Sequence, residues 1–191
     1  VLLLGMGGSS LAPEVFARTF GSFVSGLELS VLDSTDPDAV READRRHDPA
    51  ATLYIVATKS GGTAETMSFF AYFYNRTVAS VGTEEAGEHF IAITDPGSDL
   101  DDLGRRYAFR EVFANDPNIG GRYSALSFFG LVPATLVGVD IDKLLDRAWL
   151  AAVNCDRYNC PAAGDNEGGR LGAVMGQMAL RGRDKLTFIS S

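Results

Sequence analysis

The sequence predicts an α/β protein built on a doubly wound parallel sheet held between helices. Two observations predict it. Short, near-continuous apolar runs, the pattern of strands covered on both faces, alternate with longer amphipathic stretches. The connections between them are short, so each strand–helix–strand passage reads as a right-handed crossover. In order, Val1–Leu4 is the first strand, followed by a Gly-rich turn and a helix over Ala12–Phe20 with Pro13 early in it, where proline's fixed φ suits a helix start. Leu27–Leu32 is the second strand, and Pro37–Arg46 the second helix, with Asp36 placed to cap it. Strands at Leu53–Ala57, Phe90–Ile93 and Glu111–Phe113 alternate with helices at Thr63–Ala79 and Leu100–Tyr107.

After Gly120-Gly121-Arg122 the pattern becomes helical only, over Tyr123–Val137 and Ile141–Val153. The polar loop Asn159–Asp165, with Pro161 and Gly164, is the predicted boundary. Beyond it the spacing predicts a helix over Gly168–Leu180, a turn over Arg181–Lys185 and a strand over Leu186–Ser190, the first strand of an incomplete second α/β unit. The organisation expected is therefore one domain with trailing helices over residues 1–158, then a linker and the start of a second unit over 159–191. Both ends read as buried strands without a polar tail, which predicts a piece of a longer polypeptide.

The length, 191 residues, and the balance of 46% apolar to 22% charged residues are those of a globular domain. No stretch approaches the roughly 18 consecutive apolar residues of a membrane-spanning helix, so no membrane partner is expected. With 17 basic against 25 acidic side chains the chain carries −8, which argues against a nucleic-acid partner. A phosphorylated ligand would need a local device working against that overall field. Two cysteines, Cys155 and Cys160, offer neither a disulfide framework nor a four-ligand zinc site. With no signal peptide in view they read as reduced thiols in a cytoplasmic protein.

In an open parallel sheet, ligands bind beyond the carboxyl ends of the strands, near the reversal of strand order. Three segments after strands are therefore informative. Gly5-Met6-Gly7-Gly8-Ser9-Ser10 gives two glycines of a dinucleotide fingerprint with Ser10 in place of the third, and Asp33 ends the second strand where a ribose-binding acid would lie. Thr58-Lys59-Ser60-Gly61-Gly62-Thr63-Ala64-Glu65-Thr66 leads into a long helix, whose first N–H groups and dipole form an anion site. There Thr58, Ser60, Thr63 and Thr66 can donate hydroxyls, Gly61 and Gly62 permit close main-chain approach, and Lys59 supplies a point charge. The Lys-Ser pair lacks the upstream glycine of a Walker A loop, which excludes that reading. Finally, Gly120-Gly121-Arg122-Tyr123-Ser124 sets a guanidinium between a Gly-Gly turn and a helix start, a position suited to directional contact with an oxyanion.

Taken together, Gly5-Met6-Gly7-Gly8-Ser9, the Thr58–Thr66 segment and Gly120-Gly121-Arg122-Tyr123-Ser124-Ala125-Leu126-Ser127 followed by Gly130-Leu131 resemble the successive signatures of the phosphoglucose isomerase family. The Asn166–Ser190 stretch is similar to the isomerase half of bifunctional transaldolase/phosphoglucose isomerases. The resemblance implies a sugar isomerase (SIS) domain, a three-layer α/β/α sandwich around a five-stranded parallel sheet, interconverting glucose 6-phosphate and fructose 6-phosphate through a cis-enediolate. It implies that Gly8, Ser9, Thr58, Lys59, Ser60, Gly61, Gly62 and Thr63 bind the substrate phosphate, while Arg122 stabilises the enediolate. It further implies a sugar-phosphate substrate, no metal or redox cofactor, and a homo-oligomer in the intact protein. The chain departs from the family's second loop, which carries Ser where Thr58 stands and Thr where Gly62 stands.

The family's glutamate base lies in a Gln-x-x-x-Glu helical motif just beyond a strand like Leu186–Ser190, so the expected base follows Ser191 and the segment alone is expected to be inactive. Glu65 reads as structural, orienting Lys59 or the helix start. His47 and His89 read as structural rather than as the ring-opening histidine. Two other classes stay open at this level: a non-catalytic sugar-phosphate sensor, and a nicotinamide-dependent dehydrogenase using Gly5–Ser10 and Asp33.

Overall fold

The computed structural model describes residues 1–21, 26–156, 158 and 166–187. The chain divides into two compact units, Val1–Ile141 and Asp142–Ser191. The first holds β1 (Leu2–Gly5), α1 (Gly8–Phe20), β2 (Ser30–Leu32), α2 (Pro37–Arg46), β3 (Tyr54–Ala57), α3 (Ala64–Val81), α4 (Thr83–Ala86), β4 (Phe90–Thr94), α5 (Asp99–Arg106), β5 (Glu111–Ala114) and α6 (Phe128–Leu136). Short 3-10 turns cover Pro49–Ala51, Gly87–His89 and Gly121–Leu126.

The five strands form one sheet in the order β2-β1-β3-β4-β5, and every neighbouring pair is parallel. This is the predicted fold class. β1, β3 and β4 are buried along their whole length, which is why they read as unbroken apolar runs. Alternation along each strand then sorts the core into two halves. Leu2, Leu4, Tyr54, Val56, Phe90 and Ala92 face one side, with Phe69, Phe70 and Phe73 of α3, Ala43 of α2 and Leu100 of α5. Leu3, Ile55, Ala57, Ile91 and Ile93 face the other, against Phe129, Val132 and Leu136 of α6. The first half is aromatic: Tyr54 stacks on Phe90 at 4.8 Å, and Phe70 meets the edge of Phe90 at 5.6 Å. Burial pushes the ionisation of Tyr54 up to about 12, and its hydroxyl finds no partner among the described residues.

Local chemistry sets the element ends. Asp36 accepts from the amides of Asp38 (2.8 Å) and Ala39 (3.3 Å), so α2 begins at Pro37 as expected. In α5, Ser98 caps through Asp101 N at 3.2 Å. The helix expected to start near Ala12 begins earlier, at Gly8, because Gly7 with φ of 56° turns the chain directly out of the strand. At the last rung of the central pair, Gly5 lies in register with Ala57, and a β-carbon on Gly5 would sit 3.1 Å from the Ala57 carbonyl oxygen.

One expected helix is two elements. The Tyr123–Val137 prediction resolves into the 3-10 turn Gly121–Leu126 and then α6, separated at Ser127, whose backbone is extended (φ −111°, ψ −175°). Ser127 Oγ donates to Ser124 O at 2.8 Å, a local side-chain bond that competes with helix continuation.

In the second unit the described helices are α7 (Ile141–Asn154) and α8 (Glu167–Leu180), the latter capped by Asn166 through Gly169 N at 2.6 Å. The expected loop Asn159–Asp165 and Cys160 lie outside the described residues. So do residues 188–190 of the expected last strand, while Leu186 and Thr187 are not in a strand. Among the described residues no helix is long and apolar enough to cross a membrane.

Candidate functional site

Strand order reverses between β1 and β3, and a cleft of about 360 Å³ opens at the carboxyl ends of these two strands. From the first loop it is lined by Met6, Gly8 and Ser9, and from the second by Ala57, Thr58, Lys59, Ser60 and Thr63. Asp95, just past β4, and Gly121 complete it. Ser9 and Ser60 thus line one cavity, and the turn bearing Gly121 forms part of its wall.

Three helical starts meet at this cleft, and none is capped by a side chain. α1 follows Gly7, which has no side chain to offer, and the Gly121–Leu126 turn follows Gly120. α3 follows Thr63, whose hydroxyl lies 2.7 Å from Thr58 Oγ1 instead of bonding a helix N–H. The first amides of a helix have no partner within it, and the helix dipole adds partial positive charge there. At α1 the amides of Ser9 and Ser10 already donate to Met6 O (3.2 Å) and Gly7 O (3.1 Å), which leaves the Gly8 amide and the first amides of α3 as the termini that an anion in this cleft would satisfy.

The cleft's lysine is already engaged. Lys59 Nζ donates to Asp95 Oδ2 and, at 2.7 Å, to the carbonyl of Pro117 in the loop after β5. The sequence reads Glu65 as orienting Lys59 or the helix start; Lys59 is paired with Asp95 instead, and Glu65 is exposed as the acidic residue in the first turn of α3. The Lys59 carbonyl in turn accepts from Asp95 N at 3.1 Å, so the two residues are joined through both main chain and side chain. Asp95 Oδ1 is enclosed and without a hydrogen-bond partner among the described residues.

Arg122 is exposed and does not itself line the cleft, and among the described residues it makes no ion pair or side-chain hydrogen bond. Its neighbour Gly121 is pressed against the start of α1, where a β-carbon on Gly8 would lie 2.5 Å from the Gly121 carbonyl carbon and oxygen. Ser124 holds the two segments together, its Oγ lying 2.6 Å from Gly121 O and 3.3 Å from Gly8 O. At the other end of the same segment, Asn115 Oδ1 accepts from Phe128 N at 3.1 Å.

The remaining expected residues are placed differently. Gly61, at φ of 75°, is buried against Ser98 and Leu100, and its role is to let the loop turn there. Gly62 is exposed, its amide 3.5 Å from Ser60 Oγ. Thr66 corrects the expectation of a further hydroxyl donor: it is 0% exposed, its Oγ1 has no partner among the described residues, and it does not line the cleft, because one helical turn carries it from the cleft into the core. Ser10, also 0% exposed, closes its own loop by donating to Gly7 O at 3.0 Å. His47 and His89 bond the main-chain carbonyls of Ala43 and Thr52, in keeping with structural roles. Asp95 is the cleft residue that the sequence reading misses. A signal was available in Thr94-Asp95-Pro96-Gly97, a polar turn directly after a buried strand, the same kind of position that singled out the other loops.

Residues 1–177 match the family model described as phosphoglucose isomerase. The chain is 37% identical over 147 residues to a glucose-6-phosphate isomerase of Thermus thermophilus, the match covering 75% of this chain and 34% of that protein. It is 33% identical over 194 residues to glucose-6-phosphate isomerase of Carboxydothermus hydrogenoformans, covering 96% of this chain and 40% of that protein. Among solved structures, a hypothetical protein from Thermus thermophilus superposes with a TM-score of 0.83 at 31% identity, over 92% of this chain and 41% of the other. A glucose-6-phosphate isomerase from Chlamydia trachomatis superposes with a TM-score of 0.67 at 29% identity, over 80% and 28%. The chain thus spans well under half the length of the relatives it matches.

Proposed function

The chain belongs to the phosphoglucose isomerase family, and from that premise we propose that the intact protein interconverts glucose 6-phosphate and fructose 6-phosphate, with this segment holding the phosphate and stabilising the oxyanion. One observation carries the reading: three helical starts without a side-chain cap converge on a single cleft, and Arg122, which has no ion pair among the described residues, follows Gly121 of its wall.

The phosphate is assigned to Gly8, Ser9 and the segment Thr58–Thr63. The Gly8 amide, the first amides of α3 and the hydroxyls of Ser9 and Ser60 are the donors; Thr58 and Thr63 hold each other and fix the loop. Lys59 and Gly61 contribute main chain, and Gly62 an amide at the rim. Thr66 is left out.

Isomerisation opens the sugar ring and moves a proton between C2 and C1 through a cis-enediolate. It needs a carboxylate base and a cation at the developing oxyanion. Arg122 is assigned the second role. Asp95 lines the cleft but is bound to Lys59; the base is assigned, as the family resemblance implies, to a glutamate beyond Ser191. The phosphate is remote from the reacting carbons, and its binding energy serves to hold them in position. Proton transfer of this kind calls for no metal or redox cofactor. The reading includes a cytoplasmic homo-oligomer, as befits an enzyme of sugar-phosphate metabolism.

A coupled assay of the full-length protein with fructose 6-phosphate tests this. Turnover to glucose 6-phosphate is expected; saturable binding of the sugar phosphate with no turnover would replace the reading with the sensor class.

A further inference from the structure

We propose that Lys59 and Asp95 act as a strut that sets the distance between the phosphate loop and the turn bearing Arg122, so that Asp95 is a positioning residue for the reaction and the Lys59 ammonium is not a phosphate ligand. The inference deepens the isomerase reading and rests on it.

Three loops from three different strands meet at this pair. Lys59 belongs to the loop after β3, Asp95 to the loop after β4, and Pro117 to the loop after β5 that continues into Gly120-Gly121-Arg122. The ammonium bonds the last two at once. At the same point Asp95 N donates to Lys59 O at 3.1 Å and Thr94 Oγ1 lies 3.4 Å from that oxygen. The turn that carries the carboxylate is itself held in place: Ser98 N donates to Asp95 O at 3.3 Å, and Gly97 N to Asp101 Oδ2 at 2.9 Å, which closes the turn. Lys59 and Asp95 side chains are 32% and 20% exposed, so the pair is substantially sheltered from water. With the ammonium matched by a carboxylate, a phosphate in the cleft meets helix termini and hydroxyls, while the charge of Lys59 serves to fix loop geometry. Displacing a group by about 1 Å costs up to about a hundredfold in rate even when the displaced contact lies away from the chemistry.

The experiment compares Asp95→Asn, Lys59→Met and the double variant in the full-length protein, reading kcat with fructose 6-phosphate and the inhibition constant of inorganic phosphate. A strut predicts that each single substitution lowers kcat by about ten- to a hundredfold. It also predicts that the phosphate constant moves by no more than about twofold, and that the double variant is no worse than the singles, because both remove one interaction. Lys59→Arg, which keeps the cation, retains most of kcat and provides the test if Lys59→Met fails to fold. The proposal is overturned if Lys59→Met weakens phosphate tenfold while Asp95→Asn leaves kcat intact, or if the two losses multiply in the double variant. Absence of turnover in the unsubstituted protein would instead overturn the isomerase reading, which keeps the two failures apart.

Discussion

Gly8 and Gly121 meet so closely that a β-carbon on Gly8 would lie 2.5 Å from the Gly121 carbonyl, whereas one on Gly121 would find its nearest neighbour, Gly8 Cα, at 3.9 Å. The contact is therefore asymmetric. Gly8→Ala is expected to destabilise the full-length protein by about 1–3 kcal/mol, the range of overpacking, and Gly121→Ala by no more than about 0.5 kcal/mol. Urea denaturation of both variants checks this; equal losses would mean that the two segments adjust freely to each other.

Arg122→Leu removes a guanidinium that has no ion pair among the described residues, without touching the phosphate loop. A drop in kcat of about 10²–10³ is expected, with the inorganic phosphate inhibition constant unchanged. If kcat survives, the oxyanion role belongs to another residue.

Thr66→Val separates what the loop's composition suggests from what its geometry allows. The hydroxyl is enclosed and unpartnered among the described residues, so replacing it with a methyl of the same shape is expected to be neutral or to stabilise by about 1 kcal/mol. Phosphate affinity should stay the same. Thermal denaturation and phosphate inhibition measure both, and a clear loss of phosphate affinity would place Thr66 back in the site.

Asp101 gives the fold a pH signature. The Gly97 amide bond, with Arg105 beside it, holds its carboxyl below the ordinary 3.8. Because the folded value is the lower one, the stabilisation is present above the ordinary value and is lost as pH falls below it through the folded value. The melting temperature of the unsubstituted protein should therefore fall more steeply than that of Asp101→Asn as pH drops from about 5 to about 3. Parallel curves would show that the Gly97–Asp101 bond does not discriminate between the charged and neutral acid.

Burial on both faces made β1, β3 and β4 legible as apolar runs, and Asp36-Pro37 marked the start of α2 because cap and φ restriction are encoded in adjacent residues. β5 was legible despite its half-exposed edge position, since Val112 and Phe113 keep an apolar pair. The break at Ser127 was not legible. Apolar periodicity runs through it, and besides the local Ser127–Ser124 bond the break carries one from 13 residues away, where Asn115 accepts from Phe128 N. The loops of the cleft stood out by composition, but composition does not say which partner a charge will find. In the sequence the acid near Lys59 is Glu65, whereas its partners, Asp95 and Pro117, lie 36 and 58 residues downstream. Thr66 resembles its neighbours in the loop, and only the helical turn starting at Ala64 takes it inward.

The rung where Gly5 faces Ala57 has one more consequence. A β-carbon on Gly5 would meet the Ala57 carbonyl oxygen at 3.1 Å, the Leu3 side chain at 3.2 Å and the Ala57 β-carbon at 3.4 Å, all within the sheet itself. Any added bulk there would act as a wedge between the two central strands, at the rung from which both loops of the cleft leave the sheet.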